Sequence, residues 1–196
     1  TENVFTLSVP KFAALLEIIG EWAFYECRKL KEIIIPEGVK TIEALAFSNC
    51  KNLKEVILPD SVTSIGKFAF YECGELVYVR MGENIKAVGE YAFGNCTDLY
   101  MIDCKSAETV SLGAFYGCSA LYSITLSVIG TDENTHIGYI FGAETVEHGA
   151  LYVSPSLRRV ILTDSCESVP ARAFSGCDGI SSVELGKASG IGDRAF

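Results

Sequence analysis

The amino-acid sequence predicts a solenoid, a chain wound into equivalent stacked coils. Six cysteines, Cys27, Cys50, Cys73, Cys96, Cys118 and Cys177, each stand three residues after a phenylalanine. The first five are spaced by 23, 23, 23 and 22 residues, and a fixed period of this size marks a repeat architecture. An apolar segment also recurs at the same offset after every cysteine, so each round repeats one structural unit.

The first element of a round is a strand. Three residues after the cysteine come Leu30, Leu53, Leu76, Leu99, Leu121 and Ile180; three further on, Ile33, Val56, Val79, Ile102, Ile124 and Val183. Two residues later stand Ile35, Leu58, Met81, Cys104, Leu126 and Leu185. The resulting L-x-x-I-x-L segment has the period-2 alternation of a half-buried strand.

A turn follows. Pro36 with Glu37-Gly38, and Pro59 with Asp60-Ser61, stop the strand, because proline donates nothing to a ladder and glycine tolerates unusual dihedrals. A second apolar pair, Val39 with Ile42 and Val62 with Ile65, then precedes the next Ala-Phe step. About eight inward positions per round are too few to fold alone, so the rounds must stack.

Stacking accounts for the cysteines. At about 4.8 Å per coil, equivalent residues form a column, and a thiol is small, nearly apolar and free of any obligatory hydrogen-bond partner. Unpaired structural thiols are expected over disulfides, since each member of such a column has identical neighbours on both sides. Cys104 takes the place of Leu58 and Cys166 that of Val62, both core positions.

Composition narrows the function. The 196 residues are 49% hydrophobic, enough for one sizeable core, and carry a net charge of -9, which disfavours nucleic acid and anionic membrane surfaces. No run reaches the roughly 20 apolar residues of a membrane helix, so no direct membrane insertion is expected. The sequence starts without an initiator methionine or signal segment and stops at Ala195-Phe196 inside its own repeat, so a piece of a longer precursor is expected.

The pattern L-x-x-I-x-I-P followed by V-x-x-I-G-x-x-A-F-x-x-C, as in LKEVILPDSVTSIGKFAFYEC from Leu53 to Cys73, resembles the BspA-like leucine-rich repeat, related to the treponemal type. The resemblance runs over roughly residues 18–196. It implies an α/β fold: a right-handed curved solenoid with short parallel strands on one face and short helical or irregular segments on the other. It also implies a secreted or cell-surface protein associated with adhesion, with no cofactor.

Two stretches depart from the pattern within this single domain of residues 1–196. Residues 1–17 match poorly and read as a cap or a damaged turn. Residues 127–156 form an irregular turn: Leu157 follows Phe141 after sixteen residues instead of six, an insertion expected to form a loop or short hairpin. Such an insertion either shapes a binding site or is simply tolerated.

Candidate chemistry is sparse. His136 and His148 stand beside Asp132, Glu133, Glu144 and Glu147, but without metal-ligand spacing they are expected to be solvated loop residues rather than ligands. The cysteines occupy core positions, not the electropositive, base-adjacent setting of a nucleophile. No phosphate-binding loop or nucleophile elbow is present; no enzyme is expected.

Surface recognition remains. The outward strand columns read Glu32, Glu55, Tyr78, Met101, Ser123, Arg159, Ser182 and Ile34, Ile57, Arg80, Asp103, Thr125, Ile161, Glu184. Tyrosine, methionine and arginine are enriched at interfaces, so Tyr78, Arg80, Tyr100, Met101, Asp103 and Tyr122 form a candidate binding patch; ordinary cross-strand packing is the alternative. The column Trp22, Leu45, Phe68, Tyr91 reads either as a ligand stripe or as packing between coils. The expected function is a non-enzymatic extracellular module binding a host or cell-surface protein or glycan, with a structural spacer or an enzyme-targeting domain as rivals.

Overall fold

A computed structural model describes residues 15–129 and 134–196. Asp132, Glu133 and most of the proposed N-terminal cap lie outside the described residues. Two strands recur in each regular coil, numbered along the chain. The longer ones are β2 (Glu32–Ile34), β4 (Glu55–Ile57), β6 (Tyr78–Arg80), β8 (Met101–Cys104), β10 (Ser123–Leu126), β11 (Arg159–Leu162) and β13 (Ser182–Glu184). They form one seven-stranded sheet, parallel at every junction. Register pairs Glu32 with Glu55, Glu55 with Tyr78, Tyr78 with Met101, Met101 with Ser123, Ser123 with Arg159 and Arg159 with Ser182. The first outward column is therefore continuous across all seven strands, as the sequence period requires.

A second ladder runs along another wall. Its two-residue strands are β1 (Ile18–Ile19), β3 (Thr41–Ile42), β5 (Ser64–Ile65), β7 (Ala87–Val88) and β9 (Thr109–Val110), followed separately by β12 (Ser168–Val169) and β14 (Gly190–Ile191). The apolar pair of the repeat supplies it: Ile42, Ile65 and Val88 point inward and are buried. At its end, the N–H groups of Glu43, Gly66, Gly89, Ser111 and Gly192 donate to Ile19, Ile42, Ile65, Val88 and Val169 of the preceding coil. Pro170 holds this position immediately after β12 and has no N–H to give. Among the described residues the ladder is interrupted between β9 and β12, across the irregular turn.

On the third wall the regular coils take the irregular form of the expected helical or irregular segments. In place of helices, the regular coils carry turns whose N–H groups alternate in direction. Leu45, Phe47 and Asn49 donate to Lys67, Ala69 and Tyr71 of the next coil at 3.0, 2.7 and 2.8 Å, while Ala46, Ser48 and Cys50 donate three residues back. Half of the donors thus leave the coil, and an i→i−4 helix cannot close. The described helical turns Ile137–Phe141, Val146–His148 and the four-residue α1 (Gly149–Tyr152) belong to the irregular turn. No described helix is long and apolar enough to cross a membrane.

Alternation on this wall places Trp22, Leu45, Phe68 and Tyr91 at φ between 51° and 62°, and Glu26, Asn49, Glu72 and Asn95 at 57° to 62°. A left-handed residue with a Cβ costs on the order of 1–2 kcal/mol, offset here by the inter-coil hydrogen bonds. Glycine takes the equivalent positions at Gly113, Gly117 and Gly176. Gly89 has another duty: a Cβ there would lie 2.7 Å from the Gly66 carbonyl carbon, so close coil contact enforces the glycine.

The core is a set of columns. Phe47, Phe70, Phe93 and Phe115 are fully buried and stack with centroids 5.1, 5.3 and 5.9 Å apart, their planes nearly parallel. The next step, Phe115 to Phe141, widens to 6.4 Å and tilts to 53° where the irregular turn begins. The cysteines stand beside this stack as unpaired thiols, with Cys27 exposed and Cys177 half-buried at the two ends. Although a thiol obliges no partner, Cys50, Cys73, Cys96 and Cys118 donate to the carbonyls of Phe24, Phe47, Phe70 and Phe93 at 3.1–3.2 Å. Each thiol therefore stitches one coil to the one before it.

Candidate functional site

The outward side chains of β6 and β8 define the site. Tyr78 and Met101 are paired in register and about half exposed, and Arg80 and Asp103 follow two residues along their strands. On β10 the same columns carry Ser123 and Thr125, whose short side chains drop the surface before it rises again at Arg159 and Ile161 on β11. The result is a depression of about 430 Å³ that includes Tyr78, Arg80, Met101, Asp103, Arg159 and Ile161.

Four of the six expected patch residues thus meet in one place. Tyr100 and Tyr122 do not line the depression. Standing just ahead of β8 and β10, they stack on each other at 5.4 Å and 7°, with 47% and 40% of their surface exposed. Ser123, Thr125, Arg159 and Ile161 were not in the expected patch. Their signal was the dip in side-chain size along the two outward columns.

Charge around the depression is mostly paired. Lys105 lies 2.9 Å from Glu83 and 3.9 Å from Asp103, and its backbone N–H donates to Asp103 Oδ1 at 3.1 Å. Arg159 Nε donates to Glu184 at 2.9 Å. No ion pair or side-chain hydrogen bond engages Arg80 among the described residues.

Elsewhere the structure corrects two expectations. His136 is not solvated: it is buried, and neither ring nitrogen has a hydrogen-bond partner among the described residues. Burial lowers its pKa from the ordinary value, and nearby Glu147 only partly opposes this. The ring packs against Gly149, where a Cβ would come within 2.9 Å of Nδ1. The insertion is not a hairpin either. It folds as helical turns against the coils, with Gly138 against Gly149, Ser154 Oγ donating to Ser119 and Leu121 carbonyls, and Glu147 bridging to Arg172 at 3.2 Å. Its backbone bonds run both ways: Tyr139, Gly142 and Ala143 donate within the segment, while Gly113 and Phe115 donate to Tyr139 and Ile140, and Ile137 donates to Ala173, in the neighbouring coils.

The aromatic column on the turn wall is largely engaged in packing. Phe68 stacks on Tyr91 at 5.3 Å, Tyr91 meets Tyr116 edge-on, and Trp22 meets Tyr25 edge-on. The buried thiols are poorly suited to nucleophilic chemistry: desolvation pushes Cys50 and Cys118 up to about 12 and raises Cys73, Cys96 and Cys104 as well. Among the described residues no group of three or more His, Cys, Asp or Glu gathers to hold a metal ion.

The sequence matches the BspA type leucine rich repeat region in six copies, over residues 17–141 and 144–196. The chain belongs to the BspA-type leucine-rich repeat family. Among solved structures, a T. pallidum leucine-rich repeat protein matches with a TM-score of 0.59 and 23% identity, covering 83% of this chain and 73% of that one. The pneumococcal vaccine antigen PcpA gives 0.59 and 16%, over 83% of this chain and 41% of its own. A leucine rich cell surface protein from Faecalibacterium prausnitzii gives 0.46 and 26%, over 79% and 32%. No curated protein matches in sequence. The family supplies a repeat solenoid of the kind that generally serves as a protein-interaction scaffold.

Proposed function

We propose that this leucine-rich repeat domain is a non-enzymatic recognition module, secreted or displayed at the cell surface, that binds a host or cell-surface protein or glycan through the face of its seven-stranded sheet. The observation that carries the reading is the depression between β6 and β11. It combines exposed Tyr78 and Met101 with an unpaired arginine on a backbone locked by parallel pairing. Side chains of these types supply much of the energy at interfaces, and a rigid frame reduces the ordering cost of binding. Family membership supports the surface location.

The test is a binding screen of the purified domain against extracellular matrix proteins and a glycan array, beside a variant changed to alanine at Tyr78, Arg80 and Tyr100. A specific partner bound by the parent and lost by the variant is the expected result. Partners bound equally by both place recognition elsewhere; no binding by either shifts the reading to a spacer.

A further inference from the structure

Resting on the strand-face reading, we infer that the depression accepts a protein segment presenting one carboxylate beside an apolar side chain, with Arg80 as its anchor. The reasoning is an inventory of donors and acceptors. The depression's carboxylates, Asp103 and Glu83, are both engaged by Lys105, and Glu184 at its border holds Arg159. Its unengaged charge is the Arg80 guanidinium, which has five N–H donors and no acceptor. A glycan presents hydroxyls that donate as well as accept, and with Lys105 already on both carboxylates the acceptors left uncharged for it are the hydroxyls of Tyr78, Ser123 and Thr125, none of which makes use of the guanidinium. A carboxylate is the acceptor that a guanidinium fork matches, through two parallel charge-assisted hydrogen bonds.

The remaining surface selects what accompanies the carboxylate. Tyr78, Met101 and Ile161 present apolar area around Arg80, while Ser123 and Thr125 leave room between the flanking strands. An aliphatic or aromatic side chain beside the acid fills that space. The chain's net charge of -9 repels polyanions at long range, so the occupant carries a single carboxylate rather than a run of them. This excludes sulfated or polyuronic glycans and strongly acidic tails.

The experiment is an array of synthetic peptides made in isosteric pairs, Glu against Gln and Asp against Asn, each flanked by varied apolar residues. It is probed with the parent domain and with Arg80→Gln, Arg80→Lys and Tyr78→Ala/Tyr100→Ala variants of unchanged melting temperature. Uronic-acid oligosaccharides and a polyglutamate peptide are the comparison probes. The expected result is a set of acid peptides bound about tenfold or more tightly than their amide partners. Arg80→Gln erases that preference, and Arg80→Lys restores part of it because a point charge lacks the fork. Peptides bound without acid preference and lost in the tyrosine variant overturn the carboxylate anchor while leaving the strand-face reading standing. Binding untouched by any variant overturns both. No peptide binding, or preferred binding of the oligosaccharides or polyglutamate, overturns the inference.

Discussion

Replacing Phe70 with alanine removes a ring from the middle of the stack. Phe70 is fully buried, with Phe47 at 5.1 Å and Phe93 at 5.3 Å, both within 3° of parallel. A core Phe→Ala change costs about 3–5 kcal/mol, and each lost aromatic contact contributes about 0.5–1.5 kcal/mol beyond buried area. The upper part of that range, about 4–5 kcal/mol, therefore applies. Typical domain stability is about 5–15 kcal/mol, so the loss is severe. It is also localised, because coils contact only their neighbours and the change weakens both junctions of one coil. The control is Phe24→Ala: this ring is partly exposed and has one stacked neighbour, Phe47 at 4.9 Å, so about half the cost is expected. Urea titrations followed by far-UV circular dichroism report the whole array, while fluorescence of the single tryptophan, Trp22, reports the first described coil. In Phe70→Ala the two transitions separate. A cost below about 1 kcal/mol, or one equal to that of Phe24→Ala, would refute the stack as the main inter-coil coupling.

Two further outcomes are expected. Because burial lowers the His136 pKa, the unfolded chain binds a proton below the ordinary value of about 6.5 that the folded chain does not, and stability falls as pH drops through that region. Glu147 faces the ring and is paired with Arg172; its own backbone N–H and then Arg172 keep its pKa low, so it stays ionised across this window. Urea midpoints between pH 7.5 and 5.5 should decline for the parent and flatten in His136→Phe, and equal slopes in both would remove the histidine as the cause. In native labelling with a thiol reagent, exposed Cys27 should react first and Cys177 slowly, while Cys50, Cys73, Cys96, Cys104 and Cys118 wait for unfolding. Rapid modification of several of those five would contradict the buried column.

The register of the main sheet was legible because one residue type marks it: with cysteine three places after phenylalanine, every inward and outward position follows by counting. The second ladder was not, since Ile42 or Ile65 flanked by polar residues announces burial without announcing pairing. The turn wall misled for a different reason. Its left-handed residues include Trp22, Leu45 and Phe68, types that intrinsic preference keeps out of that region, and only the hydrogen bonds from neighbouring coils hold them there. His136 was misread because loop histidines are judged by their local sequence, while its ring packs against Gly149, thirteen residues on, a spacing that the coil period does not count. The depression was half legible: its residues stood in the outward columns, but a concavity depends on contrast between adjacent strands, so Ser123 and Thr125 mattered for being small.

The walls differ in how much freedom they leave the sequence. On the turn wall, side chains sit at fixed left-handed positions and stack on one another, so a change must satisfy both backbone and neighbour. The second ladder holds glycine where coils nearly touch, as at Gly89. Inside, phenylalanine and cysteine columns fill each coil against the next. The outward columns of the main sheet carry side chains whose removal leaves backbone pairing intact, because parallel bonding between β6 and β8 or β8 and β10 uses no side-chain atoms. Those columns are also where residue type changes most from coil to coil, from Glu55 through Tyr78 and Met101 to Ser123 and Arg159. A solenoid built this way separates the residues that hold the coils from those that meet a partner, and an unpaired Arg80 can persist on it without weakening the frame beneath.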